Sequence, residues 1–520
     1  MTLVPPASPM SMPSRKRRAA LAWGSSLLQM FGGTVIGFLA TPLLVRWLGS
    51  DRLGAIRTTE QILGYLLIFY VGLGPAFAVQ ILGALSQGGR ARAEALVASS
   101  RRVHFLHSLV LFPFGLLLAV FVFPLVIRAS SIPQRELIPC AAAAVSFSLL
   151  LYPLSVYRDL LECEQRSYWV HFALLLQALV VGAVGVGFAR YGFRLPGQVA
   201  AILLGLTLYY GVLFTAADGW RPGAGLIAQP ARQRIYVSWR DRWPLAITGV
   251  GNRVNLMSDA ITVSILFGPA IVTDFVISQR LVLTGLGFLS GISNVAWAPL
   301  GELLHRGELH RVRERIGDLI VLVTGASLLA GTALAAYNRR FVALWVGPDH
   351  YGGDALSIAT AAQGIVFGFF LIFAWTIDTQ GHSRARVVVS TIGSAVNLGL
   401  SFLLGRQFGI LGVCLATSVA YAVTDAWFCP WLFVRRFGLA PSDVLRPLSR
   451  SLVLAGPLVV AIWFVAHRAH GDHDSWSRLG LECACVGALM TVYFLFVMST
   501  GRLRKELLTL IARRFRVGSR

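Results

Sequence analysis

Apolar stretches of about twenty residues recur along nearly the whole sequence, and they restrict the chain to one class of fold. A helix of that length crosses the roughly 30 Å hydrocarbon layer of a bilayer. In lipid, only helices and closed barrels satisfy every backbone group, and the unbroken apolar runs exclude a barrel, whose strands alternate. The sequence therefore predicts an all-α polytopic membrane protein with about fourteen transmembrane helices. The predicted spans are residues 20–45, 53–82, 103–127, 137–158, 168–189, 197–217, 244–267, 271–300, 317–337, 354–378, 387–405, 410–434, 450–467 and 479–500.

The charges are few, and most of the cations lie on one side of the predicted spans. Only 13% of the 520 residues are charged, with 46 Lys and Arg against 24 Asp and Glu, a formal net charge of +22. With a cytoplasmic N-terminus, 32 cations fall in inside segments, 12 in outside segments and two within spans. Cytoplasmic loops of membrane proteins carry such an excess. We therefore predict a multi-pass protein of the bacterial cytoplasmic (inner) membrane with both termini cytoplasmic. The basic loops would contact anionic lipid headgroups and not nucleic acid.

Short motifs recur at a nearly constant offset and indicate an internal duplication. Gly49 and Gly268 end similar tripeptides 219 positions apart, and Asp159 and Asp378 close the fourth and tenth spans at the same offset. Because six is even, both six-helix copies enter the membrane from the same side and form parallel repeats. The predicted organisation is a disordered basic N-terminus (1–18), an N-terminal six-helix bundle (19–217), a cytoplasmic linker (218–243), a C-terminal six-helix bundle (244–437), two additional helices (438–500) and a basic cytoplasmic tail (501–520).

The order and spacing of several loose motifs resemble the multidrug/oligosaccharidyl-lipid/polysaccharide (MOP) flippase superfamily. These motifs are Leu44-Val45-Arg46-Trp47-Leu48-Gly49, Gly72-Leu73-Gly74, Asp259 with Phe267-Gly268, Ala298-Pro299-Leu300, Leu344-Trp345-Val346-Gly347, and Asn397 with Phe408-Gly409-Ile410-Leu411-Gly412. Within the superfamily the chain is most similar to the polysaccharide biosynthesis, or O-antigen-type flippase, family. The resemblance covers roughly residues 20–437. It implies two six-helix bundles around a central cavity and the movement of undecaprenyl-pyrophosphate-linked glycans from the cytoplasmic to the periplasmic leaflet.

Polar side chains inside the seventh and eighth spans are the main site candidates, because such groups are costly in hydrocarbon. The candidates are Asn252, Arg253, Asn255 and Asp259 in the seventh span and Arg280 in the eighth. The two amides and Asp259 share one helical face at i, i+3 and i+7, and Arg253 flanks that face. Arg has a planar, permanently charged fork suited to phosphate, so we predict that these residues bind the substrate. The alternative is structural: Arg253 pairs with Asp259, or Arg280 with Asp274, and the pair only joins helices.

Charged residues near the ends of other spans add weaker candidates. Arg57 lies near the outer end of the second span, where it would bind substrate at the cavity mouth. Glu60 follows at i+3, so the two can instead form a local ion pair. Glu60 and Asp378, at the inner end of the tenth span, are candidates for gating or ion coupling. A plain interfacial carboxylate is the alternative for Asp378.

The residues leave three functions to weigh, of which the lipid-linked oligosaccharide flippase is preferred. A cation-coupled multidrug and toxin extrusion antiporter is the first alternative, with Asp259 and Asp378 as cation-site acids; the lack of an acidic residue in the first span counts against it. A membrane glycan polymerase or ligase is the second alternative, and the longest predicted outer loop, about residues 338–353, is short for that chemistry. The sequence contains no Walker A motif, so we predict a transporter and not an enzyme, without a cofactor or metal site. The predicted partners are the lipid-linked glycan, membrane lipids and polysaccharide-assembly enzymes.

Overall fold

The described part of the chain is a succession of helices joined by short turns. The computed structural model covers residues 15–66, 73–86, 90–128, 131–217, 258–379, 384–468 and 475–500 in describable form. Every regular element in these ranges is helical, which confirms the predicted all-α fold class. The helices are α1 (Arg15–Leu48), α2 (Ser50–Leu66), α3 (Leu73–Ser86), α4 (Arg90–Leu117), α5 (Phe123–Val126), α6 (Gln134–Leu151), α7 (Ser155–Cys163), α8 (Ser167–Arg190), α9 (Arg194–Ala216), α10 (Ser258–Phe267), α11 (Pro269–His305), α12 (Leu309–Trp345), α13 (Asp354–Thr379), α14 (Arg384–Val423), α15 (Asp425–Phe437), α16 (Ser442–Arg468) and α17 (Trp476–Thr500).

Eleven helical segments of the described chain are long and apolar enough to cross a membrane. The predicted number of about fourteen is larger by three, because of three segments. Of the predicted span 244–267, only the ten-residue α10 belongs to the described residues. Residues 67–72 of the predicted span 53–82 lie outside the described residues, and α2 and α3 on either side of them are each shorter than a full span. The predicted spans 387–405 and 410–434 fall in one helical run, which is interrupted at Gly409 by a φ of 65° and a ψ of −147°. The chain is thus a multi-pass membrane protein, and fourteen as an exact number stays a prediction.

The chain divides into two compact units, Met1–Ala246 and Ile247–Arg520. Helix α1 begins at Arg15, within the N-terminal segment that was predicted to be disordered up to residue 18. The predicted linker 218–243 and the predicted tail 501–520 lie outside the described residues. The bundle boundaries inferred from the repeat therefore stay predictions, and each unit is considered by itself below.

In the first unit, small residues allow α1 and α8 to approach each other closely. A Cβ on Gly32 of α1 would lie 2.7 Å from the side chain of Leu175, and a Cβ on Gly182 of α8 would lie 2.6 Å from Ile36. Each helix thus offers a glycine to a branched side chain of the other. Packing through small residues is a general means of helix association in membranes, where no hydrophobic driving force operates between helices.

In the second unit, α12 holds the two C-terminal helices in place at two levels. The Tyr493 hydroxyl on α17 donates a 2.8 Å hydrogen bond to the backbone carbonyl of Val321, and the tyrosine ring lies directly over Gly325. Toward the other end of the same helices, a guanidinium nitrogen of Arg340 lies 2.6 Å from the Glu482 carboxylate, and the Arg340 side chain is only 4% exposed. The Ser451 hydroxyl of α16 donates a 3.4 Å hydrogen bond to the same Val321 carbonyl, so both C-terminal helices are integral to the second unit.

Substitution of Gly325 by Ala is expected to lower the stability of the protein by about 1–3 kcal/mol, because the new methyl group would overlap the Tyr493 hydroxyl. Thermal unfolding of the purified protein in detergent measures this loss. Gly480→Ala on α17 is the matched control, since no heavy atom lies within 4 Å of the Cβ position there. Equal melting temperatures for the two variants would contradict the proposed packing.

A similar glycine turn precedes the second described helix of each unit. Gly49 and Gly268 both adopt a positive φ, 85° and 87°, immediately before that helix. In the first unit the Ser131 hydroxyl donates a 2.5 Å hydrogen bond to the Asp51 carboxylate. In the second unit the His350 Nδ1 lies 2.7 Å from the Asp274 carboxylate, and His350 stands 219 residues after Ser131. Each unit thus ties a loop between two later helices to an acidic residue at the start of its second helix.

The loop that carries His350 is held by further polar contacts within the second unit. The backbone N–H of Gly352 donates a 2.7 Å hydrogen bond to the Ser278 hydroxyl, and the Tyr351 hydroxyl donates one of 2.7 Å to the Asp354 carboxylate. Burial of the Tyr351 ring raises the pKa of its hydroxyl above the ordinary value, so the hydroxyl keeps its proton as a donor. The loop is therefore fixed to both α11 and α13.

Candidate functional site

The predicted site residues fall into separate parts of the structure. Asn252, Arg253 and Asn255 lie outside the described residues. Asp259 is the second residue of α10, and Arg280 is half-buried in α11, both in the second unit. Asp378 lies in the last turn of α13. Arg57 and Glu60 belong to α2 of the first unit.

Asp259 is the centre of a buried polar cluster that three helical segments build. The Thr417 hydroxyl lies 3.2 Å from each oxygen of the Asp259 carboxylate and 3.1 Å from the Asn397 side-chain oxygen. The Ser401 hydroxyl donates a 3.3 Å hydrogen bond to the same Asn397 oxygen. Asn397, Ser401 and Thr417 are all 0% exposed. We call these four residues the Asp259 cluster.

The Asp259 cluster brings three acceptor oxygens around the Thr417 hydroxyl. Two carboxylate oxygens and one amide oxygen lie within 3.2 Å of it, and its single proton can be donated to only one of them at a time. The Ser401 hydroxyl also donates to the amide oxygen, and the Ser258 hydroxyl lies 3.5 Å from one carboxylate oxygen. The cluster therefore presents converging oxygen lone pairs and one formal negative charge. Such oxygen ligands suit a hard cation. Across the described residues, no group of three or more His, Cys, Asp and Glu side chains forms a transition-metal site.

Only one member of the Asp259 cluster was predicted to act at a site. Asn397 was predicted only as part of a family motif, and no role was predicted for Ser401 or Thr417. The available signal was the pair Asn397 and Ser401, two polar residues at i and i+4 inside an apolar span. Thr417 is 158 residues from Asp259 in the chain, and no local pattern connects the two.

A second polar layer links the helix of Arg280 with the helix of Thr417. The Gln279 amide donates a 3.3 Å hydrogen bond to the Thr360 hydroxyl, which lies 3.6 Å from the Cys414 sulfur. Cys414 precedes Thr417 by three residues, so both project from the same side of α14. Gln279 is 6% exposed and adjoins Arg280 in sequence. Polar contacts thus continue from the turn of α11 that carries Arg280 toward the Asp259 cluster.

In the predicted structural alternative, Asp274 pairs with Arg280 or Asp259 pairs with Arg253. Both aspartates have close contacts with other residues. Asp274, which was considered as an ion-pair partner for Arg280, lies 2.7 Å from His350. Asp259, considered as a partner for Arg253, lies against Thr417. The roles of the two arginines in substrate binding stay predictions.

Arg57 and Glu60 form a local ion pair in the first unit. Their closest nitrogen and oxygen atoms are 2.8 Å apart, and the side chains are 32% and 41% exposed. This is the i, i+3 pairing that the sequence permits. Glu60 also borders a small apolar pocket with Leu137 and Leu195. Exposed pairs of this kind contribute little to stability, so the pair leaves both predicted site roles open.

A wide apolar groove lies on the second unit between α12, α13 and α16. Its volume is about 400 Å³. Its lining includes the small residues Gly331 and Ala361 and the larger Val460 and Trp463. The lining is almost wholly apolar, so the groove suits a hydrocarbon chain and not a headgroup.

Comparisons with known proteins define the fold. No family model matches the sequence. The chain is 23% identical over 507 residues, 92% of its length, to "Uncharacterized membrane protein EpsK" of Bacillus subtilis, of which it covers 94%. It is 20% identical over 427 residues to "Putative O-antigen transporter" of Shigella flexneri, covering 79% of this chain and 97% of that protein.

Two solved structures share the architecture. The lipid II flippase MurJ in an inward closed conformation aligns with a TM-score of 0.64 and 14% identity, over 93% of this chain and 99% of that chain. An inward-facing multidrug resistance MATE family transporter of the MOP superfamily aligns with a TM-score of 0.63 and 13% identity, over 81% and 98%. The chain therefore shares its fold with solved members of the MOP superfamily. The architecture is the one found in both the MurJ flippase and the MATE transporter.

Proposed function

We propose that the chain is a flippase that moves a polyprenyl-pyrophosphate-linked oligosaccharide across the bacterial cytoplasmic membrane by alternating access, for polysaccharide biosynthesis. The observation that carries this proposal is the similarity to a putative O-antigen transporter along 97% of that relative. The full-length likeness in fold to a lipid II flippase supports the same substrate class, since both substrates combine a lipid with a glycan. The basic segments predicted to be cytoplasmic support an orientation with both termini in the cytoplasm.

The second unit offers separate surfaces for the two parts of such a substrate. Arg280 is a half-buried cation in α11 suited to a pyrophosphate, whose transfer into a low-dielectric interior needs a counter-charge. The apolar groove beside Trp463 has the volume and lining for part of an isoprenoid tail. A transporter of lipid-linked glycans needs both, because the tail stays in hydrocarbon while the headgroup crosses.

The Asp259 cluster supports coupling of this transport to a monovalent cation. Its single carboxylate and neutral oxygens carry one negative charge, which one bound sodium ion or proton would neutralise. Burial of the cluster makes the neutralised form favourable. Binding and release of the cation would then change the stability of the packing between α10 and α14.

The second candidate is a cation-coupled drug antiporter, and two observations favour it. MATE transporters share the fold, and the Asp259 cluster is a buried acidic site that such coupling requires. Against it, the predicted substrate residues Arg253 and Arg280 are cations, which repel the cationic compounds that a drug exporter would carry.

Replacement of Arg253 and Arg280 together by Ala is expected to abolish glycan display in a host that lacks its own flippase gene and expresses the variant chain. The two guanidinium groups would no longer offset the desolvation of the pyrophosphate. Surface glycan is measured by gel electrophoresis of cell-envelope extracts, with the amount of chain in the membrane measured in parallel. The matched control is the Arg102→Ala, Arg446→Ala double variant, which removes two exposed arginines.

Three outcomes separate the proposed functions. Normal display by a well-expressed Arg253→Ala, Arg280→Ala variant would refute the arginine assignment. Single glycan units on the surface after deletion of the gene would indicate a polymerase, whereas a flippase loss leaves none. Restored drug resistance in a hypersensitive host, without restored glycan, would indicate the antiporter.

A further inference from the structure

A continuous stripe of exposed side chains runs along the last part of α14 and along α15. Val419, Val423, Trp427, Trp431 and Arg435 follow one another at intervals of four residues and are all exposed. Side chains four apart lie on one face of a helix. Thr424, with a φ of −120° and a ψ of −92°, separates the two helices. Across this break the Trp427 indole N–H donates a 2.8 Å hydrogen bond to the Val423 carbonyl, which joins the two parts of the stripe.

The opposite face of α15 fixes the direction in which the stripe points. Cys429 and Phe433 are 0% exposed, and the Phe433 ring packs 5.5 Å from that of Phe373 on α13. Because this face is held in the core of the second unit, α15 cannot rotate to bury its tryptophans. The stripe of side chains from Val419 to Arg435 is therefore a fixed surface.

The order of residue types along the stripe follows the depth profile of one bilayer leaflet. Two aliphatic residues come first, then two tryptophans, then an arginine, with about 6 Å of helix between successive members of the same helix. Aliphatic side chains suit the hydrocarbon layer, and tryptophans concentrate at the boundary with the headgroups. Arginine belongs at the level of anionic phosphates. The exposed Trp427 and Trp431, 55% and 45% accessible, thus mark the interface.

The Arg435 guanidinium is oriented so that it can bind an anion at the level of the lipid headgroups. Its guanidinium carbon lies 5.3 Å from the centroid of the Trp431 ring, a cation–π contact that orients the planar group. Among the described residues it forms no ion pair with a carboxylate. A guanidinium that stacks through its face keeps its N–H edge available for a bidentate bond to phosphate.

We propose that Trp427, Trp431 and Arg435 form a seat for one anionic phospholipid of the bilayer, with its phosphate on Arg435 and its glycerol and upper acyl chains along the two indole rings. The seat lies on the exposed side of α15 and not in the apolar groove or the Asp259 cluster. It requires neither the proposed transport function nor its substrate. Charge complementarity selects phosphatidylglycerol over phosphatidylcholine, since the former carries a net negative charge.

The test is native mass spectrometry of the full-length purified chain with equal amounts of phosphatidylglycerol and phosphatidylcholine. The wild-type chain is expected to retain phosphatidylglycerol preferentially. Arg435→Gln is expected to weaken this binding about five- to tenfold, since one arginine near an anionic surface contributes about 1 kcal/mol and a bidentate bond somewhat more. Trp431→Leu is expected to weaken it as well, because the arginine loses its platform. Arg102→Gln, which removes an exposed arginine of α4, is expected to change nothing.

Each result decides for or against the seat. Equal retention of the two lipids by the wild-type chain would refute it, as would undiminished phosphatidylglycerol binding by Arg435→Gln. An equal loss in Arg102→Gln would show a diffuse charge effect in place of a site. Undiminished binding by Trp431→Leu alone would refute the stacked arrangement. Circular dichroism and gel filtration establish that each variant is folded before its binding is compared.

Discussion

Asp259→Asn is expected to reduce transport by roughly a hundredfold or more while leaving the protein folded. The amide has nearly the same shape as the carboxylate, so the packing of α10 against α14 is retained. It removes the single negative charge of the Asp259 cluster and puts an N–H₂ donor where an acceptor faced Thr417. Loss of a charged ligand in a buried site costs about 3 kcal/mol of cation affinity, which corresponds to that factor.

Glycan display in the complemented host measures the effect, and its dependence on external sodium and pH identifies the cation. Asp349→Asn is the matched control, because it removes an exposed carboxylate from the same unit. Thr417→Val is expected to give an intermediate loss, since it removes a neutral ligand and keeps the charge. Wild-type display by Asp259→Asn would show that the cluster is structural and that another group couples transport.

Gly412→Ala is expected to lower stability by about 3 kcal/mol and to reduce the yield of folded protein sharply. A Cβ at this position would overlap the carbonyl group of Leu404 and approach the amide nitrogen of Gly405. Both obstacles are backbone atoms, which cannot move aside as the end of a side chain can. The two parts of α14 on either side of Gly409 would have to separate, and overpacking at a buried contact usually costs this much.

The control for Gly412→Ala is a glycine substitution that we expect to raise stability. Gly399 lies in the same helix, is exposed, and has no heavy atom within 4 Å of its Cβ position. Gly399→Ala is therefore expected to stabilise the helix by about 0.5–1 kcal/mol. Thermal unfolding of both purified variants in the same detergent measures the difference. A Gly412→Ala protein as stable as Gly399→Ala would contradict the close backbone approach.

The fold class could be predicted because it depends on properties that are local in sequence. Span length and hydropathy report on the thickness of the hydrocarbon layer, and no knowledge of tertiary contacts is needed. The predicted repeat depends on a similar local property. Gly49 and Gly268 share a positive φ that side chains rarely adopt, so glycine marks the same turn in both units. The pairing of Arg57 with Glu60 was also within reach, since it spans one helical turn.

The site could be predicted only in part, because its contacts join distant segments. Asp259 was identified as a costly charge inside a span, which is a local property. Its partner Thr417 depends on how α14 is broken at Gly409 and on the depth at which it passes α10. The same limit applies to Arg340 and Glu482, which are 142 residues apart. Periodicity places each residue on a helix face, but it does not determine which face of another helix lies opposite.

The docking of α16 and α17 on α12 has a genetic consequence. Deletion of the two helices would remove the Glu482 carboxylate that faces the buried Arg340, and it would expose to lipid the surface around Gly325 that is shaped for Tyr493. A shortened form of the chain would have to replace residues on α12 before it could fold without the pair. Truncation of the gene before α16 is therefore expected to act as a null mutation, because α12 would keep a buried cation without its carboxylate partner.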